Sequence, residues 1–263
     1  MTHQIFFTAA LAIFVYFSLI FLLSLAKKNA SIVDVAWGAG FFLVLVVCLL
    51  TSPRFPKQLT GHQLLILTMI ALWGFRLSWH IYRRNKGKPE DFRYAGWRQK
   101  WGKWFELRGY FQIFLLQGFF MFLILLPALF VISQPTGSGW TWLDSLGLLV
   151  WLTGYLFESR ADAELRRFKA DPANRGKIIQ TGLWRYSRHP NYFGEALMWW
   201  GIFIIGLKAK WGWLGLISPL TITFLLTRVS GIPLLEKKYA GQPEYEAYKA
   251  TTSAFIPWPP RKK

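Results

Sequence analysis

Seven stretches of this chain are apolar for long enough to constrain everything else about it. They lie at about 5–26, 32–50, 61–82, 110–133, 141–158, 192–207 and 211–227. A largely uncharged run of about 18 or more residues is long enough, as a helix, to cross the hydrocarbon core of a bilayer. In lipid every backbone N–H and C=O must be satisfied within its own segment, and a helix does so. The expectation is an all-α, polytopic integral membrane protein with seven transmembrane helices. The third and sixth stretches carry the most polar residues.

Charge sets the expected orientation. Basic residues collect on the cytoplasmic side of a membrane protein. With the N-terminus outside, the segments after the first, third, fifth and seventh stretches are cytoplasmic. They hold Lys27 and Lys28, nine basic residues from Arg83 to Arg108, eight from Arg160 to Arg188, and seven from Arg228 onward. The opposite face has Arg54, Lys57, Lys208 and Lys210. The C-terminus is then cytoplasmic and the expected location is the cell inner membrane. The opening 1-MTHQ lacks the basic n-region of a signal peptide, and Lys27 and Lys28 follow the first apolar run. A retained first helix is expected.

The net charge of +18 therefore gathers on one face, where it favours anionic lipid headgroups. Nucleic acid is not an expected partner, because the charge is spread over membrane-bound loops. Cys48 is the single cysteine, which excludes a disulfide within the chain and a cysteine-rich zinc site. No metal is expected.

The segment 92-FRYAGWRQKWGKWFELRGYF spaces Trp97, Trp101, Trp104 and Phe105 as a helix would, among Lys and Arg. That pattern fits a helix lying in the membrane interface, with a lid over a lipid substrate as the alternative. The Pro and Gly of SQPTGSG mark an external turn. The tail 255-FIPWPPRKK, aromatic, proline-rich and cationic, is expected against the headgroups.

The chemistry concentrates in 181-TGLWRYSRHPNYFGEALMWWG-201. Pro190 suits the first turn of a helix, where a missing N–H costs nothing. Asn191 and Glu195, four apart, share a helical face. The free N–H groups of such a helix favour phosphate, and Arg185 and Arg188 stand just upstream to add charge-assisted bonds. Glu195 in a membrane-proximal turn needs a donor. In 158-ESRADAELRRFK, Glu158, Asp162, Arg166 and Lys169 continue from the end of the fifth stretch as a second polar cluster. Singly, these groups read as headgroup contacts or a solvated helix; together they read as a pocket.

The run GLWRYSRHPNYFGE resembles the C-terminal motif of the steroid 5α-reductase superfamily, seven-helix membrane enzymes that bind NADPH from the cytoplasm. More particularly, the chain resembles that superfamily's functionally undefined bacterial branch. The resemblance extends over nearly the whole chain, through 33-VDVAWG, 85-NKGKPEDFRY and 255-FIPW. It implies one membrane-embedded domain over 1–263, with the cofactor-binding part at about 154–263. It implies that Asp162, Asn191 and Glu195 contact the adenine nucleotide. Glu158 falls where an asparagine is usual and Lys169 where an arginine is usual. Arg228 and Asn85 match further cofactor-site positions. At the substrate end, Asp34 stands near the family's catalytic glutamate and Trp73 near its tyrosine. An indole N–H is a weaker donor and supplies no phenolic proton.

Asp34 is the only acid in the first four stretches. An acid in an apolar span marks a functional site, and one that stays protonated donates a hydrogen bond. The competing reading pairs it with Arg76 on the third helix. His80, one turn beyond Arg76, is either a second candidate donor or a satisfied interfacial histidine, and Tyr94 reads first as loop packing, with a proton donor reaching back as the alternative. The resemblance implies an NADPH-dependent reductase of a carbon–carbon double bond in a lipid-like substrate drawn from the bilayer. NADPH and NADH are not separated by the residues themselves. Two rivals stand beside it. The pattern 188-RHPNYFG also resembles isoprenylcysteine carboxyl methyltransferases, which bind S-adenosylmethionine, and Trp73 suits a lipid-binding protein without catalysis.

Overall fold

The computed structural model describes residues 2–52, 60–134 and 139–261. The described residues are all-helical apart from connections and one isolated bridge. Eleven α-helices are ordered α1 Thr2–Lys27, α2 Ile32–Leu50, α3 Gly61–Asn85, α4 Phe92–Trp101, α5 Phe105–Gly109, α6 Leu116–Ser133, α7 Trp142–Ala170, α8 Pro190–Gly206, α9 Ile217–Phe224, α10 Ile232–Tyr239 and α11 Pro243–Thr251. Among the described residues, five helical segments are long and apolar enough to cross a membrane: His3–Lys27, Ile32–Leu50, Gly61–Asn85, Phe92–Ser133 and Gly212–Lys237. The stretches at 141–158 and 192–207 are helical too, within α7 and α8. However, α8 has only 17 residues, and Asp144 and Glu158 lower the apolarity of α7. Residues 135–138 of the expected SQPTGSG turn and the external Arg54 and Lys57 lie outside the described residues.

The chain sorts into two compact units. The first comprises Met1–Gly139 with Lys208–Leu214, the second Trp140–Leu207 with Gly215–Lys263. The expected cofactor part, 154–263, falls in the second unit except for 208–214.

In the first unit, α1 is apolar all round and exposes Phe7, Leu11, Phe14, Leu19 and Leu22. A helix uniformly apolar and outward-facing suits lipid, not water. Inside, a row of rings runs Phe17–Trp37–Phe41–Trp73 at centroid distances of 6.4, 5.1 and 5.2 Å. The α2–α3 crossing is close because Gly38 and Gly74 meet there; a Cβ on Gly38 would lie 2.4 Å from the Gly74 carbonyl. Thr60 and Gln63 cap the start of α3 reciprocally, closing two of the donors a helix start leaves open. The Gln63 amide also donates to the Ile132 carbonyl at 3.1 Å.

In the second unit, α7 and α8 pack along a ladder of small residues. Gly147 and Gly154 on α7 are seven apart, as are Gly194 and Gly201 on α8. A Cβ on Gly194 would sit 2.6 Å from the Gly154 carbonyl, and one on Gly201 2.6 Å from that of Gly147. Backbones approach this closely only where both sides lack a side chain. The ladder fixes the register of the two helices. One turn beyond its last rung, the first turn of α8 comes beside Glu158 and Asp162.

Candidate functional site

A polar cluster in each unit gathers residues singled out in the sequence, and the two are built differently. In the first unit the cluster gathers at the start of α2. The Asp34 carboxylate accepts from Arg93 Nη2 at 2.6 Å and from Tyr94 Oη at 2.6 Å. Around it, Asp91 accepts from Arg93 N and Nε at 3.0 and 2.8 Å. Glu90 receives Arg98 through two bonds of 3.0 Å and the Ala30 N–H at 2.7 Å. Ser31 Oγ accepts the Asp91 N–H at 2.7 Å. The first turn of α4 is thus tied to the first turn of α2 through side chains and main chain together.

Three expectations change here. The partner of Asp34 is Arg93, not Arg76, because the PEDFRY connection folds back over the α2 start. Asp34 accepts from both the arginine and the phenol O–H instead of donating. The Tyr94 hydroxyl donates to Asp34, and the side chain is 3% exposed. A freely hinged lid does not suit α4, whose start is pinned. Its outer side still shows Phe92, Trp97 and, just beyond, Trp104, and Trp97 stacks on Trp101 at 5.6 Å and 7°. Trp73 and His80 are on α3; Trp73 is buried edge-on against Phe41 and serves as core. Asn85, the last residue of α3, accepts from Arg84 Nε at 3.1 Å.

The second unit's cluster sits where α7 passes the start of α8. Asn191 Nδ2 donates to Asp162 Oδ1 at 3.2 Å, across 29 positions of sequence. Glu158 and Glu195 are buried beside them, at 2% and 8% exposure. The Asn191 Oδ1 atom is buried and has no hydrogen-bond partner among the described residues. An acceptor left in that state costs about 1–3 kcal/mol. Arg166, Lys169 and Arg185 are exposed in the same unit, as is Arg228 on the π-helical turn Leu225–Val229.

Arg188 has another job than the phosphate contact expected of it. It is 8% exposed. Its Nε and Nη2 bond Glu236 Oε1 at 2.9 and 2.7 Å, and its Nη1 donates to the carbonyls of Lys249 and Thr252. Its guanidinium is occupied by the C-terminal segment. His189, stacked on Tyr192 at 5.6 Å and 7°, places Nε2 at 3.3 Å from the same Glu236 oxygen. Burial pushes the His189 imidazole below its ordinary value, against the opposing pull of Glu236.

The tail, expected at the headgroups, pairs its main chain with the motif. Arg188 N donates to Ser253 O at 2.8 Å, Ser187 Oγ to Phe255 O at 2.8 Å, and Trp258 N to Tyr186 O at 2.9 Å. Ile256 and Trp258 still point outward, 62% and 68% exposed. Glu236 went unnoticed in the sequence, where it stands in an unremarkable LLEKKY run. Nothing local marks a partner 48 positions away.

Several long apolar helices and a buried carboxylate–amide cluster define a multi-pass helical membrane protein with a candidate ligand site. The family model described as "Protein of unknown function (DUF1295)" matches residues 20–252. The chain belongs to this family, which is part of the steroid 5α-reductase-like group. It is 28% identical to the uncharacterized protein C594.04c of Schizosaccharomyces pombe over 76% of its own length and 65% of that protein. It is 32% identical to the steroid 5-alpha-reductase DET2 of Arabidopsis thaliana over 46% of this chain and 44% of the relative. With the 3-oxo-5-alpha-steroid 4-dehydrogenase 1 of Rattus norvegicus the identity is 34%, over 31% of this chain and 30% of that one. The matches thus span less than two thirds of each of these curated relatives. No solved structure matches the chain.

Proposed function

We propose that this protein is a membrane-embedded, NADPH-dependent reductase of a carbon–carbon double bond, conjugated to a carbonyl, in a steroid-like or other lipid substrate. The reading includes seven transmembrane helices in the cell inner membrane, the N-terminus outside and the C-terminus cytoplasmic. One relative named a steroid 5-alpha-reductase and one named a 3-oxo-5-alpha-steroid 4-dehydrogenase support the reaction class. The observation that carries the cofactor is the buried, unbonded Asn191 Oδ1 held beside Asp162.

The residues present fit a dinucleotide. Asn191 Oδ1 accepts an N–H or O–H of the nucleotide, while Asp162 fixes the amide so that this oxygen, not the nitrogen, is offered. Glu158 and Glu195 add acceptors for ribose hydroxyls or the adenine amino group. Arg166, Lys169, Arg185 and Arg228 are the exposed cations available to phosphates. When bound, NADPH supplies the hydride. In the first unit, Tyr94 is the candidate proton-bearing group, its O–H donated to Asp34, which also accepts from Arg93. Anionic headgroups are the partners of the remaining basic surface.

The test is stabilisation of the purified protein by NADPH, NADH or S-adenosylmethionine. A ligand that binds only the folded state raises the melting temperature by mass action. NADPH is expected to raise it and S-adenosylmethionine to leave it unchanged. A shift with S-adenosylmethionine alone would replace the reductase with a methyltransferase.

A further inference from the structure

We infer that Glu236, on α10, is a positioning residue for the nucleotide-binding face of α8. This deepens the reductase reading and rests on NADPH being the ligand. One oxygen of this carboxylate, Oε1, meets three donors from two consecutive residues: Arg188 Nε at 2.9 Å, Arg188 Nη2 at 2.7 Å and His189 Nε2 at 3.3 Å. His189 is the residue before Pro190, and Asn191 follows at once.

Most of the other side-chain ties on residues 184–189 also come from the C-terminal segment, the exception being Trp184 Nε1, which donates to the Ala161 carbonyl of α7 at 3.1 Å. Tyr248 Oη donates to the Trp184 carbonyl, Arg188 N to Ser253 O, and Ser187 Oγ both donates to Phe255 O and accepts the His189 N–H at 3.1 Å. The chain entering α8 is therefore gripped on the side of the C-terminal segment. Asn191 has a single tie on its other side, at 3.2 Å to Asp162. Proline at the first helical position adds rigidity, since its φ is fixed. The placement of Asn191 Oδ1 thus depends on a carboxylate that is bonded to the two residues just ahead of Pro190. Ordinary helix capping does not explain the arrangement: the side chain of His189, the residue at the cap position, makes no capping bond to the α8 backbone.

A positioning role predicts a loss that passes through Asn191. The experiment is a double-mutant cycle on NADPH affinity, read by quenching of intrinsic tryptophan fluorescence at a temperature where each variant is folded. Its members are wild type, Glu236→Gln, Asn191→Ala and the double variant. Asp144→Asn, which weakens the α7 cap through Thr141, is the control for general destabilisation in the same unit. Glu236→Gln is expected to weaken NADPH about tenfold, the scale of one well-placed hydrogen bond. The double variant is expected to bind no worse than Asn191→Ala alone, because interacting residues are non-additive. Asp144→Asn is expected to lower the melting temperature without changing affinity.

Wild-type affinity in Glu236→Gln, or a full further tenfold loss on the Asn191→Ala background, overturns the positioning role and leaves the reductase reading intact. Equal loss of affinity in Asp144→Asn also overturns it, since any destabilisation of the unit would then suffice. No NADPH binding by the wild type overturns both together.

Discussion

The cluster at the start of α2 and the cluster at the start of α8 contain similar chemistry, carboxylates with amide, phenol or guanidinium partners. They differ in closure. Around Asp34, each carboxylate oxygen meets a donor, and Glu90 and Asp91 are likewise bonded to Arg98, Arg93 and main-chain N–H groups. Around Asn191, one acceptor is buried and unbonded, and several cations of the unit stand free of the fold's interior. A closed network holds two segments together; an open one leaves an acceptor that the proposed nucleotide would complete. The distinction follows from the cost of burying an unbonded polar atom, which folding accepts rarely.

The largest effect that separates the two should come from the helix crossing under the open cluster. Gly194→Val places side-chain carbon against Glu158 N, only 2.5 Å from the Cβ position, and against the Gly154 carbonyl. Backbone cannot yield there as a side chain can, so a destabilisation of about 3 kcal/mol is expected, with NADPH binding abolished. Thermal unfolding and NADPH titration of this variant check it. A Gly61→Ala control, whose Cβ would meet nothing within 4 Å, should behave as wild type.

Next is the closed cluster. Asp34→Leu leaves Arg93 and the Tyr94 hydroxyl without their acceptor and should cost about 2 kcal/mol of stability. NADPH affinity should stay unchanged. The double variant Asp34→Leu with Arg93→Leu should recover part of the loss, because an orphaned partner costs more than an absent pair. Denaturant midpoints for the two variants decide this; altered NADPH affinity in Asp34→Leu would break the division of labour between the clusters. Reduction is expected to fall in Tyr94→Phe by on the order of a hundredfold, with folding retained, as for loss of a general acid.

Asn191→Ala inverts the pattern. It should weaken NADPH by roughly 1–2 kcal/mol and lower the melting temperature little, since it removes an unbonded acceptor along with a single bond. Equal NADPH affinity in this variant would make the open cluster structural.

The smallest effect concerns acidity at Glu90. Burial raises its pKa, but the Arg98 hydrogen bond and the Ala30 N–H outweigh burial and hold it below 4.5. A depressed carboxylate stabilises the fold fully above its unfolded value, and the contribution is lost as pH falls through the folded one. Wild type should therefore lose stability relative to Glu90→Gln on acidification below about pH 4.5. Parallel melting curves from pH 6 to 3 read the difference, and parallel slopes would mean that the tie to α4 carries no charge-dependent strength.

Much of this was legible before any coordinates. Apolar run length marked α1, α2, α3, α6 and the α9 region, because a bilayer demands it locally. Motif spacing picked out Asp162 and Asn191, since helical periodicity places chemically related residues on one face. Asp34 stood out as an isolated acid. Its partner did not: Arg76 and Arg93 are equally basic in sequence, and only the return of 90-EDFRY over the start of α2 chose between them.

Run length, charge asymmetry and periodicity are properties of neighbouring residues, so the chain by itself determined the helical membrane class and the two polar segments of the candidate site. Side-chain partners across tens of positions are not such properties. Tertiary structure alone decided that Arg188 serves Glu236 and the C-terminal carbonyls, that Tyr94 faces Asp34, and that glycines seven apart on α7 and α8 bring Asp162 to Asn191. The physical reason is that a hydrogen bond is satisfied by whatever donor the packing delivers within about 3 Å, and sequence spacing does not encode that delivery.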